Sequence, residues 1–264
     1  MTSPATSGAT PVVRTSAPAS SLAPGVTVMT LLGTAQGCHE LQQRRLALAE
    51  GTSLSGIAAG YGESWYVLAG AGLLGVVPPE TARTTTAPQT TAPQTTAPTT
   101  AAAPATAVLR PGTAVWIRQL SRYSCGTTGG AGLLLVAVTV CAGPGDDSGP
   151  ALRVVTLDSC EPERTGDREF RVLLSAGLTI TQFVGLIPPG RAPEHHHTYN
   201  EVVHVLAGHG VVHLATGDAV ISPGTSIYLP PYQPHCLENT GNDILEVLGV
   251  FYPAGSPAAK GPAG

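Results

Sequence analysis

The fold of this chain is decided by Pro188-Pro-Gly-Arg-Ala-Pro-Glu-His195-His-His197-Thr-Tyr-Asn-Glu201. On a β-strand alternate residues share a face, so His195 and His197 point to one side and His196 to the other. Glu201 has the same parity as the pair, and the turn before it would bring it onto the next strand. His235 arrives from a distant strand after a proline-rich turn. The pattern predicts three imidazoles and one carboxylate that meet inside a β-structure.

These four side chains form a mixed nitrogen and oxygen donor set. Imidazole and carboxylate ligands suit Fe, Mn, Ni, Cu or Zn and leave one or two positions for water or substrate. Histidine runs also occur by chance or on surfaces, and what favours a metal here is the whole set of residues in register, from Gly190 to Asn239. We therefore predict one divalent transition metal per chain, bound by His195, His197, Glu201 and His235.

The same region resembles the two motifs of the cupin superfamily, G(x)₅HxH(x)₃₋₄E(x)₆G and G(x)₅PxGxxH(x)₃N. The resemblance runs through Gly190, the histidine pair, Glu201, Gly208, Gly224, Pro230, His235 and Asn239. The first motif is one residue short before its first histidine. In the second, Tyr232 replaces a glycine. No departure affects a predicted ligand. The resemblance implies a double-stranded β-helix, also called a jelly-roll barrel.

An internal repeat extends this resemblance along the chain. Glu63-Ser-Trp-Tyr-Val-Leu-Ala-Gly-Ala-Gly72 reappears as Glu201-Val-Val-His-Val-Leu-Ala-Gly-His-Gly210, and Arg110-Pro-Gly-Thr-Ala-Val-Trp-Ile117 reappears as Ser222-Pro-Gly-Thr-Ser-Ile-Tyr-Leu229. Two copies of one unit bury a core that neither could bury alone. We predict an all-β chain of two cupin barrels in tandem, a degenerate one over residues 22–150 and a metal-binding one over 151–255.

The two repeat shifts differ by 138 − 112 = 26 residues, which locates an insertion in the first copy. Residues 81–107 hold a Thr/Ala/Pro pentapeptide tract with little to bury, either a neutral low-complexity expansion or a glycosylated stalk. We expect it to hang from a hairpin. Residues 1–21 are predicted to be a disordered tail and residues 256–264 a flexible one. Residues 40–50, which could pass for a helix, align with a strand.

The first copy lacks the predicted metal ligands. The repeat shifts place a non-ligating residue at each of the three histidine positions: Ile57, Ala59 and Tyr123. Only Glu63 remains, and a lone carboxylate cannot hold a transition metal in competition with water. This barrel is predicted to be metal-free, serving to cover a sheet, to form a dimer face or to narrow the mouth of the active barrel. An organic-ligand pocket around Glu63, Trp65 and Tyr123 is the alternative.

Composition limits the partners. Among 264 residues only 11 % are charged, the net charge is −4 and no Lys/Arg cluster occurs, which argues against nucleic acid. No apolar run approaches the roughly 20 residues of a membrane span. Five cysteines without CxxC spacing favour a reducing compartment. We predict a cytoplasmic protein with a small-molecule substrate and no membrane partner, and a homodimer because cupin barrels commonly pair through edge strands.

The resemblance implies a metal centre but no single reaction. The first hypothesis is an O₂-dependent oxygenase, similar to quercetinase-type cupins, acting on a small enolic or phenolic substrate with Glu201 as ligand and catalytic base. The second is a non-redox isomerase or decarboxylase, whose acid substrate would need a cationic side chain. Arg171 and Arg191 are the nearest candidates. The third is a metal-loaded ligand-binding protein without turnover.

Overall fold

The computed structural model describes residues 9–79, 104–143 and 149–258, and within them the chain is all-β with antiparallel pairing. Two short 3₁₀ turns, Thr34–Gln36 and Leu157–Ser159, interrupt the strands. No helix in this part of the chain is long and apolar enough to cross a membrane. In chain order the strands are β1 (Val12–Arg14), β2 (Ala19–Ala23), β3 (Val26–Leu32), β4 (Leu41–Leu48), β5 (Ser53–Ile57), β6 (Gly62–Gly70), β7 (Gly72–Val77), β8 (Ala105–Leu109), β9 (Thr113–Arg118), β10 (Arg122–Thr127), β11 (Leu133–Val140), β12 (Leu152–Thr156), β13 (Glu163–Thr165), β14 (Arg168–Leu174), β15 (Thr181–Ile187), β16 (Gly190–Arg191), β17 (Asn200–Ala207), β18 (Gly210–Leu214), β19 (Ala219–Ile221), β20 (Ser226–Leu229), β21 (His235–Asn239) and β22 (Leu245–Tyr252).

The strands build two barrels of the same design, each made of a seven-stranded and a four-stranded sheet. The N-terminal barrel has the orders β12-β9-β6-β11-β4-β3-β2 and β5-β10-β7-β8. The C-terminal barrel has the orders β1-β20-β17-β22-β15-β14-β13 and β16-β21-β18-β19. The two sets of strands correspond position by position. The prediction of two jelly-roll barrels in tandem is confirmed, and β4 is a strand as the repeat indicated.

Each large sheet takes its outermost strand from the other half of the chain. Strand β12 lies beyond the predicted domain boundary yet pairs with β9, while β1 pairs with β20 of the C-terminal barrel. Strand pairing therefore crosses the predicted domain boundary at residue 150. The prediction that residues 1–21 form a disordered tail is wrong for residues 12–14 and 19–21. The short Val12-Val13 segment satisfies an otherwise open sheet edge, which composition alone does not reveal.

The insertion joins the two strands of one hairpin, as predicted. Strand β7 ends at Val77 and β8 begins at Ala105, whereas four residues connect the corresponding β18 and β19. Residues 105–107, predicted to belong to the insertion, are part of β8. The Thr/Ala/Pro tract itself falls in residues 80–103, outside the described residues, as do residues 259–264 of the predicted C-terminal tail.

The largest buried cluster lies between the barrels. The outward faces of the two large sheets pack on each other, so this core draws on both halves of the chain: Leu41, Tyr66, Trp116, Val138, Val184, Val202, Tyr228, Leu248 and Val250. Separate cores fill the interior of each barrel. A small aromatic cluster of Phe170, Phe183 and Phe251 lies apart from these, inside the C-terminal barrel.

Candidate metal centre

His195 and His235 are held opposite each other by the backbone. The amide of His195 donates to the carbonyl oxygen of His235 at 3.0 Å, and the amide of His235 donates back at 2.9 Å. Two residues along, the carbonyl oxygen of His197 accepts a hydrogen bond from the amide of Tyr232 at 2.7 Å. Main-chain hydrogen bonds thus position the histidine segment against the turn that precedes β21.

The three imidazoles converge. One ring nitrogen from each of His195, His197 and His235 lies within 4.8 Å of the other two. Glu201, on β17 of the large sheet, places Oε2 3.5 Å from His197 Nε2 and 3.8 Å from His235 Nε2. The structure therefore brings together the four residues that the sequence nominated, with the carboxylate beside two of the three imidazoles.

Backbone carbonyls select the tautomer of two of the rings. Nδ1 of His195 lies 3.1 Å from the carbonyl oxygen of Pro193, and Nδ1 of His235 lies 2.9 Å from that of Gln233. A carbonyl oxygen only accepts hydrogen bonds, so Nδ1 carries the proton and Nε2 carries a lone pair. Such contacts orient metal-binding histidines in proteins and leave the other nitrogen available as a ligand.

Burial shifts the protonation equilibria of the cluster toward neutral forms. Burial, followed by the neighbouring imidazoles, lowers the pKa of His197 to about 3 and that of His235 to about 4. Burial also raises the pKa of Glu201 to about 8. The contact between His197 and Glu201 is therefore not an ion pair at neutral pH when no cation is present, because both groups are uncharged.

Two buried atoms show that the cluster is incomplete by itself. Within the described residues, Glu201 Oε2 and His197 Nδ1 have no hydrogen-bond partner. Orphaned buried polar atoms are unfavourable. A divalent transition cation bound by three nitrogens and this oxygen would satisfy Glu201, and the donor types suit such an ion. The residues present therefore fit the predicted metal.

A cavity of about 80 Å³ lies beside the cluster and is mostly apolar. Leu237 of the small sheet lines the cavity, and the other walls are side chains of the large sheet: Phe170, Phe183, Val203, Leu229, Val247 and Phe251. His197 is packed between rings, stacked on Tyr199 at 4.9 Å between centroids and tilted against Phe251 at 5.1 Å. Any molecule that enters this cavity reaches the imidazoles and Glu201 beside mostly apolar walls.

Arg168, which the sequence analysis did not nominate, lines this cavity. It begins β14 and shares a strand face with Phe170. The two arginines that were predicted to bind an acid substrate lie elsewhere. Arg171 has the opposite parity and forms an ion pair with Glu169 at 3.6 Å, whereas Arg191 is exposed and donates from Nε to a cysteine sulfur at 3.3 Å. Neither lines the cavity, so that nomination was wrong.

The N-terminal barrel shows a one-residue offset from the predicted correspondence. Tyr123 pairs with Gly56, as His235 pairs with His195. Gly56 and Ala58, rather than Ile57 and Ala59, therefore occupy the histidine positions. Gly56 precedes Glu63 by seven residues, whereas six separate the corresponding pair, and one extra residue reverses the face of every side chain. Accordingly Ile57 is 58 % exposed and Ala58 is buried.

Side chains fill the place of a metal centre in this barrel. Buried Glu63 accepts hydrogen bonds from Arg44 Nη2 at 3.1 Å, from the amide of Ala59 at 3.1 Å and from Trp65 Nε1 at 3.0 Å. Tyr123 packs edge-on against Trp65, and its hydroxyl lies 2.7 Å from where a β-carbon on Gly56 would be. A guanidinium is the cation at Glu63, and the carboxylate oxygens that an organic ligand would use already have partners.

Comparisons with known proteins agree with this fold. A family model described as "Cupin domain" matches residues 183–251. An uncharacterised protein of Methanocaldococcus jannaschii is 38 % identical over 58 residues, which is 22 % of this chain and 46 % of that protein. The match thus spans less than half the length of this curated relative.

Solved structures are similar over nearly the whole chain. Ylba from E. coli has a TM-score of 0.69 at 12 % identity, covering 92 % of this chain and 90 % of that one. A Lactobacillus farciminis oxalate decarboxylase in complex with formate has a TM-score of 0.69 at 13 % identity, covering 94 % and 87 %. AerE from Microcystis aeruginosa has a TM-score of 0.68 at 12 % identity, covering 92 % and 97 %. At such low identity these likenesses show a shared two-barrel fold alone.

Proposed function

We propose that this chain, whose residues 183–251 match a cupin-domain model and whose two-barrel fold is shared by the solved structures, is a mononuclear metal-dependent enzyme acting on a small molecule. One observation carries the proposal. Three imidazole nitrogens converge with Oε2 of Glu201, which has no hydrogen-bond partner among the described residues, at the wall of a mostly apolar cavity. Metal-dependent enzymes use this combination of fixed ligands and a shaped cavity.

The reaction we propose first is O₂-dependent oxygenation of an enolic substrate. A bound divalent ion supplies a Lewis acid and, if it is redox-active, electron transfer. Glu201 Oε2, ionised beside that charge, accepts the proton that the substrate releases. Phe170, Phe183 and Phe251 hold the substrate and exclude water. The cavity volume of about 80 Å³ favours a compact enolic molecule over a phenolic one with several rings.

A non-redox decarboxylase or isomerase is the second candidate, and Arg168 favours it. Acid substrates need a cationic partner, and this guanidinium lies in the wall of the same cavity as the imidazoles. The two candidates differ in what they consume. An oxygenase takes up O₂ with turnover, whereas a decarboxylase or isomerase turns over under nitrogen. A ligand that binds and is recovered unchanged under both conditions would instead indicate a binding protein.

Metal analysis of the purified full-length chain tests the common premise. We expect about one equivalent per chain in the wild type and in His196→Ala, because His196 belongs to the same histidine run but is not among the three clustered imidazoles. The double variant His195→Ala/His197→Ala should retain less than about a tenth of an equivalent. Metal that persists in the double variant, or a wild type that stays metal-free after reconstitution, would refute the proposal. Two equivalents would contradict a metal-free N-terminal barrel.

A further inference from the structure

Arg168 is a partly buried residue whose charge has no described ion-pair partner. Its Nε atom is buried and has no hydrogen-bond partner within the described residues. No described carboxylate lies within ion-pair distance of its guanidinium, since neighbouring Glu169 pairs with Arg164 at 3.5 Å and with Arg171 at 3.6 Å. A guanidinium partly withdrawn from water without an anion is unfavourable. Arg168 therefore has a free capacity for an anionic partner.

This charge lies in the same space as the candidate metal centre. Thr165 and Arg168, at the two ends of the β13–β14 turn, line the cavity together with the three clustered histidines. The lowered pKa values of His197 and His235 arise first from burial, then from neighbouring imidazoles, and to a smaller degree from Arg168. Arg168 makes no ion pair with Glu201, so it does not serve as the counter-ion of that carboxylate.

We propose that Arg168 binds the carboxylate of a small acid substrate, while another oxygen of the same molecule faces the metal centre. The proposal rests on the proposed function, because it names the substrate class of that site. A planar guanidinium binds a carboxylate through two parallel hydrogen bonds, which fixes the orientation as well as the position of the acid. The aromatic walls and the volume of about 80 Å³ restrict the acid to a few heavy atoms.

The test uses two fluorinated probes of nearly the same shape, fluoroacetate and its neutral analogue fluoroacetamide. Their affinities for the zinc-loaded full chain are measured by fluorine NMR titration. We expect the wild type to prefer fluoroacetate by about ten-fold or more, since hydrogen bonds between charged groups are the stronger ones. Arg168→Met should reduce this preference several-fold and keep one equivalent of zinc, and the part that remains comes from the zinc ion, which also attracts a carboxylate. Arg168→Lys keeps the charge but loses the planar guanidinium, so it should retain part of the preference.

Arg171→Met is the matched control, because it removes an arginine from the same strand without reaching the cavity. It should keep the wild-type preference. An unchanged preference in Arg168→Met, or an equal loss in Arg171→Met, would overturn the proposal. If Arg168→Met folds poorly, Arg168→Lys takes its place. A smaller preference for fluoroacetate in Arg168→Lys than in the wild type supports the proposal, and an unchanged preference overturns it.

The experiment distinguishes two outcomes: failure of the metal centre, and failure of Arg168 as the carboxylate-binding residue (the anchor). The same titrations are run on the metal-free chain, and zinc content is measured on every sample. If the wild type binds no zinc but still prefers fluoroacetate through Arg168, the anchor stands and the proposed function falls. If zinc binds and no variant changes the preference, the anchor falls and the proposed function stands.

Discussion

Two glutamates at equivalent positions show how surroundings decide what a residue can do. Glu63 is buried and accepts hydrogen bonds from a guanidinium, an indole and an amide. Glu201 is equally buried, yet its Oε2 atom has no partner among the described residues. The first is therefore a structural ion pair. The second is left free to bind a cation, and its pKa is raised to about 8 when no cation is present.

At this scale we predict the pH dependence of Glu201→Gln in the metal-free protein. The folded wild type keeps a proton on Glu201 up to about pH 8, whereas the unfolded chain releases it near 4.5. This contribution to stability is present below pH 4.5 and is lost as the pH rises through 8. The melting temperature of Glu201→Gln should match that of the wild type at pH 5. It should exceed the wild-type value by roughly 5–10 °C at pH 9, measured with a chelator present.

Glu63→Gln supplies the control from the other barrel. It removes the ion pair with Arg44, so its melting temperature should lie below that of the wild type at both pH values. A constant difference between Glu201→Gln and the wild type from pH 5 to pH 9 would contradict the raised pKa of Glu201.

Residue identity, strand parity and the cupin motifs together predicted which side chains would cluster. His195 and His197 have the alternation of one strand face, and the structure brings them together with His235 and Glu201. Arg168 was not predicted, because which face a strand turns inward depends on partners that a single segment does not reveal. The counterpart of His195 was misplaced by one residue for a similar reason, since the loop before Glu63 is one residue longer. Counting alternate residues across a loop does not fix the face on which a side chain lies, because loop lengths differ.

Among the elements, the exchanged edge strands β1 and β12 connect the two barrels most directly. Strand β1 pairs with β20, which pairs in turn with β17, the strand that carries Glu201. Val12 and Val13 pack against the inter-barrel core and the core of the C-terminal barrel respectively. A segment at the start of the chain therefore supports the sheet that holds the candidate metal centre.

We predict that deleting residues 1–15 destabilises the protein by about 1–3 kcal/mol. The deletion exposes an edge of β20 and the apolar surface that Val12 and Val13 cover. The measurement is the midpoint of urea unfolding, followed by fluorescence. Deleting only residues 1–8 is the control and should leave the midpoint unchanged. Equal midpoints for the two deletions would show that β1 contributes nothing.

Strands with clear apolar alternation were predictable, whereas these two edge strands were not. The run Leu178 to Ile187 alternates in the sequence and contains β15. Strand β1 has three residues within a segment of tail-like composition, and its stability comes from a partner more than 200 residues away in the chain. Local sequence carries no trace of such a distant edge.

In the whole molecule, the packing of one barrel on the other buries residues that face outward from their own sheet. His204 has parity opposite to that of Glu201 and so lies on the outer face of its sheet. That face is covered by the other barrel, and His204 is only 2 % exposed, with Nδ1 3.0 Å from the hydroxyl of Ser226. Sheet parity was predictable here, but the covering of one barrel by the other is a property of the assembled chain.

The homodimer stays a prediction, and the small sheet of the N-terminal barrel is where we would test it. Its outer face carries four exposed apolar side chains, Ile57, Leu73, Val77 and Val108, and its strands contain a single charged residue, Arg122. Two copies of this face can meet without opposing like charges over most of their area. We expect light scattering to give twice the chain mass of 26.7 kDa.

The double variant Leu73→Lys/Val108→Lys should then give the mass of one chain. Val220→Lys is the control, because Val220 is 75 % exposed on the other barrel and should leave the mass unchanged. A wild type with the mass of a single chain would refute the dimer. A dimer that survives the double lysine variant would place its interface elsewhere.

The reciprocal exchange of β1 and β12 also determines how the molecule would behave as separate pieces. If the gene were split between β11 and β12, one fragment would carry an edge strand that the other requires, and the reverse would hold for its partner. Neither piece could complete its own large sheet. The two polypeptides would instead reassemble when expressed together, so that this chain resembles an obligate heterodimer whose subunits happen to be covalently linked.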